Sequence, residues 1–272
     1  MAALQEPGLV ADRPLAGRVA LVTGASRRGA IGAAVARRLA ADGARVVLHT
    51  WSPHDAAQPW GEDVGGSAAL VDRLRATGAA AIEVAADFAD PAAPGRVVAA
   101  ALDAFGRLDV VVANHARTSM QSLEQLTAEE LDVSYAVNTR ATLLLVREFA
   151  LRHDRRPGGR VVLFTSGQYH GAMPGELPYI ASKGALHQVT PSLAVHLAPR
   201  GITVNCVNPG PNDTGYAGDD LRERVATLVP AGRWGTPADT ARLVAWLVSD
   251  EAAWVTGQVI ASDGGWSALS GT

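Results

Sequence analysis

The chain is poor in cysteine, lysine and aromatic residues. One cysteine, Cys206, among 272 residues excludes an intrachain disulfide and any cysteine-cluster metal site. It fits a reducing cytoplasm. No run of about 18 apolar residues is free of charge, so no membrane-spanning helix is expected. Residues 1–13 contain Gln5, Glu6, Pro7, Asp12 and Arg13 and lack a cationic start followed by an apolar stretch, so no secretory signal is read there. We expect a loose leader over residues 1–13 and a cytoplasmic protein. Basic charge is not in excess. With 24 basic and 27 acidic side chains and a net charge of −3, there is no electrostatic footprint for nucleic acid or for an anionic membrane. The seven histidines form no His-x-x-x-His pair and no cluster with carboxylates, so no metal is expected. Without a Gly-x-Ser-x-Gly elbow, hydrolase chemistry is not indicated.

Lysine is rarer still than its class suggests. Of the 24 basic residues 23 are arginine, and Lys183 is the one lysine. An ammonium is a compact point charge on a thin stem, whereas a guanidinium is a planar fork. Where either cation serves, this chain uses arginine. Lys183 therefore marks a place where an ammonium is required, with a chance surface lysine as the alternative.

The hydrophobic fraction of 48% is enough for a full core. Strand-like apolar runs occupy 19–22, 45–50, 80–85, 109–113, 160–165, 201–208 and 258–261. Several are continuously apolar, the pattern of strands buried on both faces. Helical patterns lie between them at 30–42, 67–77, 92–105, 128–153, 179–198 and 237–249. Glycines at 43, 78, 106 and 201 follow helices, where a stop is expected. Strand and helix in alternation predict an α/β fold, a doubly wound parallel sheet with helices on both faces. No composition break divides the chain, so residues 14–272 read as a single domain. Two long loops, 51–66 and 209–222, follow the second and sixth strands. Such strand ends are where open α/β sheets bind ligands.

The first strand runs into Thr23-Gly24-Ala25-Ser26-Arg27-Arg28-Gly29-Ala30-Ile31-Gly32 and then a helix. Glycines let the backbone approach a pyrophosphate, and a helix start offers free N–H donors. Its spacing is not Gly-x-Gly-x-x-Gly, and it lacks the Gly-Lys-Ser/Thr ending of a nucleoside-triphosphate loop. The second strand ends at Thr50, where enzymes that prefer NAD place an acid against the ribose 2′-hydroxyl. A neutral residue there removes repulsion of a 2′-phosphate, and Arg27 and Arg28 are placed to attract one. We therefore expect NADP(H) in preference to NAD(H). Asp55, Glu62 and Asp63 in the next loop are able to fold back and reverse that preference.

Tyr179 and Lys183 are four residues apart on one helix face, and Ser166 closes the fifth strand. Carbonyl reduction needs a proton for the developing alkoxide, and alcohol oxidation needs a base. A phenol of pKa ~10 must fall about three units to act as a base near neutrality, which takes about 4 kcal/mol. An ammonium within ~4 Å is expected to supply much of it. Ser166 is placed to hold the substrate oxygen.

Taken together, the glycine turn, Asp87, Ala113-Asn114-His115-Ala116, Asn138, Ser166, Tyr179 with Lys183, Asn208-Pro209-Gly210, Thr214 and Asp263-Gly264-Gly265 resemble the short-chain dehydrogenase/reductase family from about Pro14 to Gly265. The chain is most similar to bacterial members of the 3-oxoacyl-carrier-protein reductase type. The resemblance implies a Rossmann-type domain with a seven-stranded sheet, assembled as a homotetramer or homodimer. It implies Tyr179 as general acid/base, Lys183 as its tuner and ligand of the nicotinamide ribose, Ser166 as substrate orienter and Asn138 as holder of a relay water. Gly24, Ser26, Ile31, Gly32 and Asn114 would then hold the dinucleotide. Asp87 and Phe88 would border the adenine, and Pro209, Gly210 and Thr214 the nicotinamide.

Three features depart from the family pattern. The glycine turn is two residues longer, His115 and Arg117 replace an asparagine and a glycine, and Val195 stands where carrier-protein reductases have a basic residue. The expected function is hydride transfer between nicotinamide and a ketone or secondary alcohol of a mid-sized substrate. The alternatives are a dinucleotide-binding regulator with little turnover, and imine reduction or redox-linked dehydration on the same scaffold.

Overall fold

The computed structural model describes residues 13–271. The expected leader, apart from Arg13, lies outside the described residues. The seven apolar runs become seven parallel strands: β1 (Val19–Thr23), β2 (Arg45–Thr50), β3 (Ala81–Ala85), β4 (Val110–Ala113), β5 (Gly159–Phe164), β6 (Ile202–Asn208) and β7 (Val259–Ala261). They form one sheet in the order β3-β2-β1-β4-β5-β6-β7. The order reverses between β1 and β4, which opens a crevice at their carboxyl ends.

Helices cover both faces because alternate side chains of each buried strand point opposite ways. On one face Ala20, Val22, Val46 and Leu48 pack with α1 (Ile31–Ala41), α3 (Ala68–Ala76) and α9 (Pro237–Val248). On the other Val19, Leu21, Val111 and Leu163 pack with α4 (Ala93–Phe105), α6 (Ala141–Arg152) and α7 (Leu177–Leu197). Leu145 and Leu163 are fully buried, and each such side chain contributes roughly 1.5–3 kcal/mol.

The structure differs from the pattern-based reading in three places. Both long loops carry a helix, α2 (Ser52–Ala56) in the first and α8 (Asp219–Leu228) at the end of the second. Helix α2 is too short to show a period. In α8 no residue is buried, and its short stripe of Leu221, Val225 and Leu228 sits in a stretch rich in charge. The stretch expected as one helix over 128–153 is α5 (Ala128–Ser134), a π-helical turn over Tyr135–Arg140, and then α6. Such turns mark functional sites more often than ordinary helix does, and this one carries Asn138. Among the described residues no helix is long and apolar enough to cross a membrane. No group of three or more His, Cys, Asp or Glu among them is placed to hold a metal.

Candidate active site

The glycine turn is held by close backbone packing. Gly24 has φ +69°, and a Cβ there would lie 2.7 Å from the Cα of His115. A Cβ on Gly32 would come within 3.0 Å of the Gly24 carbonyl oxygen. The Asn114 amide donates to the carbonyls of Thr23 and Gly24, both at 3.1 Å. The ends of β1 and β4 and the start of α1 are thereby pinned together, with Ile31 opening the helix. Ala30 caps α1 without a side-chain acceptor, so the first-turn N–H groups stay open to an anion. A Cβ on Gly29 would meet nothing within 4 Å. The Ser26 hydroxyl accepts the Trp51 N–H at 2.9 Å, which ties the turn to the end of β2.

Neither arginine of the turn is free. Arg27 donates from Nη2 to the Thr214 carbonyl at 2.9 Å and lies over the Trp60 ring, 5.3 Å from its centroid. It therefore joins the loop after β2 to the loop after β6. Arg28 donates to Asp63 Oδ2 from its backbone N at 2.5 Å and from Nε at 3.2 Å. Of the three loop acids, Asp63 folds back onto the turn. Thr50 is buried, and its hydroxyl donates to Glu83 Oε1 of β3 at 2.6 Å. The Ser67 hydroxyl donates to the same oxygen. A carboxylate thus does lie beside the end of β2, but two hydroxyls already occupy it.

Asp87 caps its own turn, accepting the Ala89 N–H at 2.8 Å. Phe88, expected to border the adenine, has a ring that is 2% exposed, stacks on His49 at 3.8 Å and meets the edge of His115 at 4.4 Å. His115 joins Thr23 Oγ1 at 2.7 Å to the Val137 carbonyl at 3.0 Å, so it links the glycine turn to the π-turn. Burial pushes its pKa well down and that of His49 down to about 4. Both rings are neutral at physiological pH. The sequence carried no signal for this pair beyond the departure at His115.

At the chemical end, Ser166 follows β5, and its hydroxyl hydrogen-bonds the Tyr179 phenol. Lys183 lies one turn further along α7, is 2% exposed, and donates from Nζ to the Phe164 carbonyl at 3.1 Å. Burial brings this ammonium down to about 8, partly offset by Cys206. Burial also pushes the Tyr179 phenol up to about 12; Ser166 opposes this, while Glu176 and Tyr216 add to it. Lys183, expected to make this phenol acidic, has its Nζ held on the carboxyl end of β5.

Asn138 is fully buried. Its Nδ2 donates to the Arg117 carbonyl at 3.0 Å and to Ser182 Oγ at 2.9 Å, and its Oδ1 accepts the Arg117 N–H at 2.6 Å. Both side-chain donors are committed, so this side chain positions the π-turn against α7. On the β6 side, Gly210 has φ +61°, and a Cβ there would strike Asp263. Asn208 orders the same corner, donating to the Tyr169 hydroxyl at 3.3 Å and accepting the Gly210 N–H at 3.1 Å. Pro209 accepts from Asn212 at 3.0 Å.

Known proteins share this arrangement. A family model described as enoyl-(acyl carrier protein) reductase matches residues 24–267. The uncharacterized oxidoreductase YjdA of Bacillus subtilis is 40% identical over 250 residues, covering 91% of this chain and 96% of that protein. Versicolorin reductase 1 of Aspergillus parasiticus is 37% identical over 267 residues, covering 92% and 97%. The solved structure of the angucycline C-6 ketoreductase LanV with bound NADP superposes with a TM-score of 0.82 at 33% identity, covering 94% and 97%. With the match running through nearly the whole chain, the chain belongs to the short-chain dehydrogenase/reductase family of oxidoreductases.

Proposed function

We propose that residues 14–272 form one catalytic domain that reduces a ketone on a mid-sized substrate with NADP(H), using Tyr179 as proton donor. The observation that carries this reading is the Ser166 hydroxyl beside the Tyr179 phenol, with Lys183 one turn further along α7. A phenol that holds its proton at neutral pH is able to deliver it to the alkoxide that develops as a carbonyl is reduced. Ser166 sits where it can share the substrate oxygen with Tyr179 and hold it in place. Lys183 supplies positive charge beneath the site and is the candidate ligand of a ribose.

The residues fit a dinucleotide. The uncapped start of α1, the open Gly29 and the pinned Gly24–Asn114–Gly32 packing suit a pyrophosphate. Ser26, Ile31, Thr50, Asp87, Pro209, Gly210 and Thr214 lie around the same crevice. When bound there, NADPH supplies the hydride. LanV carries NADP and is a ketoreductase, which supports the same cofactor and substrate class here. Asn138, bonded to Arg117 and Ser182, holds the π-turn against α7 beside Tyr179.

A cytoplasmic homotetramer or homodimer completes the reading. The lone, buried Cys206 and the exposed Trp254 and Val195 support it. The test is NADPH oxidation, followed by absorbance, against a panel of ketones, with Tyr179→Phe as control. Turnover that needs Tyr179 supports the ketoreductase. Tight NADPH binding with no turnover of any carbonyl favours a regulator, and turnover confined to imines or dehydration substrates favours those chemistries.

A further inference from the structure

We infer that Asp63 is a determinant of cofactor specificity: its carboxylate holds the place on Arg28 that the 2′-phosphate of NADP(H) takes on binding. This rests on the NADP(H) reading above.

The geometry is that of an anion seat already filled. Two donors of Arg28, the backbone N–H at 2.5 Å and Nε at 3.2 Å, converge on the single oxygen Asp63 Oδ2. Convergent donors of this kind, one main-chain and one guanidinium, also suit a phosphate. The seat lies in the right corner. Ser26 binds Trp51 at the exit of β2, and that exit is where a ribose 2′-substituent is read in this class of fold.

The corner is also basic. Arg37 donates from Nη1 to the Arg28 carbonyl at 3.0 Å. Burial and the nearby Arg73 depress its pKa. Against these cations, Asp63 is the acid bound to the turn. Glu83, a further carboxylate near the end of β2, is tied to Thr50 and Ser67.

A phosphate carries about twice the charge of a carboxylate and three acceptor oxygens. It displaces Asp63 from Arg28, but each binding event must first break the internal pair. Asp63 therefore weakens NADP(H) binding and narrows the preference over NAD(H), which gains nothing from Arg28.

Equilibrium dissociation constants for NADPH and NADH, read by nucleotide fluorescence, test this in the full-length wild type, Asp63→Asn, Asp63→Ser and Arg28→Gln. Thermal melts confirm folding, and the serine variant stands in if the asparagine variant misfolds. We expect either Asp63 variant to tighten NADPH about fivefold, with NADH moving less than about twofold, and Arg28→Gln to weaken NADPH about tenfold, the worth of roughly 1.4 kcal/mol. If Arg28→Gln weakens NADPH alone while the Asp63 variants leave it unchanged or weaker, the Asp63 inference is overturned and the NADP(H) reading stands. If the wild type binds NADH as tightly as NADPH and Arg28→Gln moves neither, both fall.

Discussion

Lys183 Nζ donates to the carbonyl of Phe164 at 3.1 Å, at the carboxyl end of β5. The chain's one lysine is therefore buried where a strand terminates, on the carbonyl two positions before Ser166 and one helical turn from Tyr179. A guanidinium would need to bring its planar fork into the same space.

Burial of that ammonium has a pH signature. Its folded pKa, about 8, lies below a lysine's ordinary 10.5, so between those values the unfolded chain binds the extra proton. Stability then rises with pH across 8 to 10.5 and is lost as pH falls back toward 8. The full effect is on the order of 3 kcal/mol. Thermal melts of wild type and Lys183→Met are expected to show the wild type gaining on the variant between pH 8 and pH 10. A difference that stays flat across this range contradicts the buried cation.

Two neutral histidines give the opposite end of the profile. His49, down at about 4 from 6.5, contributes stability that is complete above pH 6.5 and lost as pH falls toward 4. Its share is on the order of 3 kcal/mol. His49→Gln keeps a donor for the Ala86 carbonyl, which His49 Nε2 meets at 2.9 Å. We expect the variant to lose less melting temperature than wild type between pH 6.5 and pH 4.5. Parallel acid curves would show that His49 is not the group responsible.

Gly32→Ala tests the packing beneath the dinucleotide crevice. The added Cβ meets backbone, the Gly24 carbonyl, which has no side-chain freedom to yield. A loss of about 1–3 kcal/mol in urea unfolding is expected, with NADPH affinity falling alongside. Unchanged stability and affinity would mean that the turn relaxes freely.

Glu176 raises the Tyr179 phenol and is itself raised by its burial. Glu176→Gln removes that charge, so the phenol's pKa falls and ultraviolet titration shows ionisation beginning at lower pH. An unshifted titration contradicts the proximity of the two groups.

Much of this site was legible in the sequence. Ser166, Tyr179 and Lys183 lie on one strand end and one helix face, so local geometry nearly brings them together. The strands were legible for a similar reason, since continuous apolar runs leave little other than a buried parallel sheet. The fate of Arg28 was legible only in part, since three loop acids were able to fold back and nothing in the sequence chose among them. Its partner Asp63 is 35 positions away in a loop whose path no period sets. The packing of Phe88 was not legible either, because its ring partners His49 and His115 are brought to it by other strands.

The central claim is that Tyr179 supplies the proton that accompanies hydride transfer from NADPH to a carbonyl carbon. NADPH deuterated at C4, mixed with a ketone turned over by the wild type, tests it by mass spectrometry of the alcohol. The account predicts deuterium on the carbinol carbon with wild type, and formation of that alcohol about 10²–10⁴-fold slower with Tyr179→Phe, the usual worth of general acid catalysis, at unchanged NADPH affinity. Deuterated alcohol forming at the wild-type rate in Tyr179→Phe would contradict it.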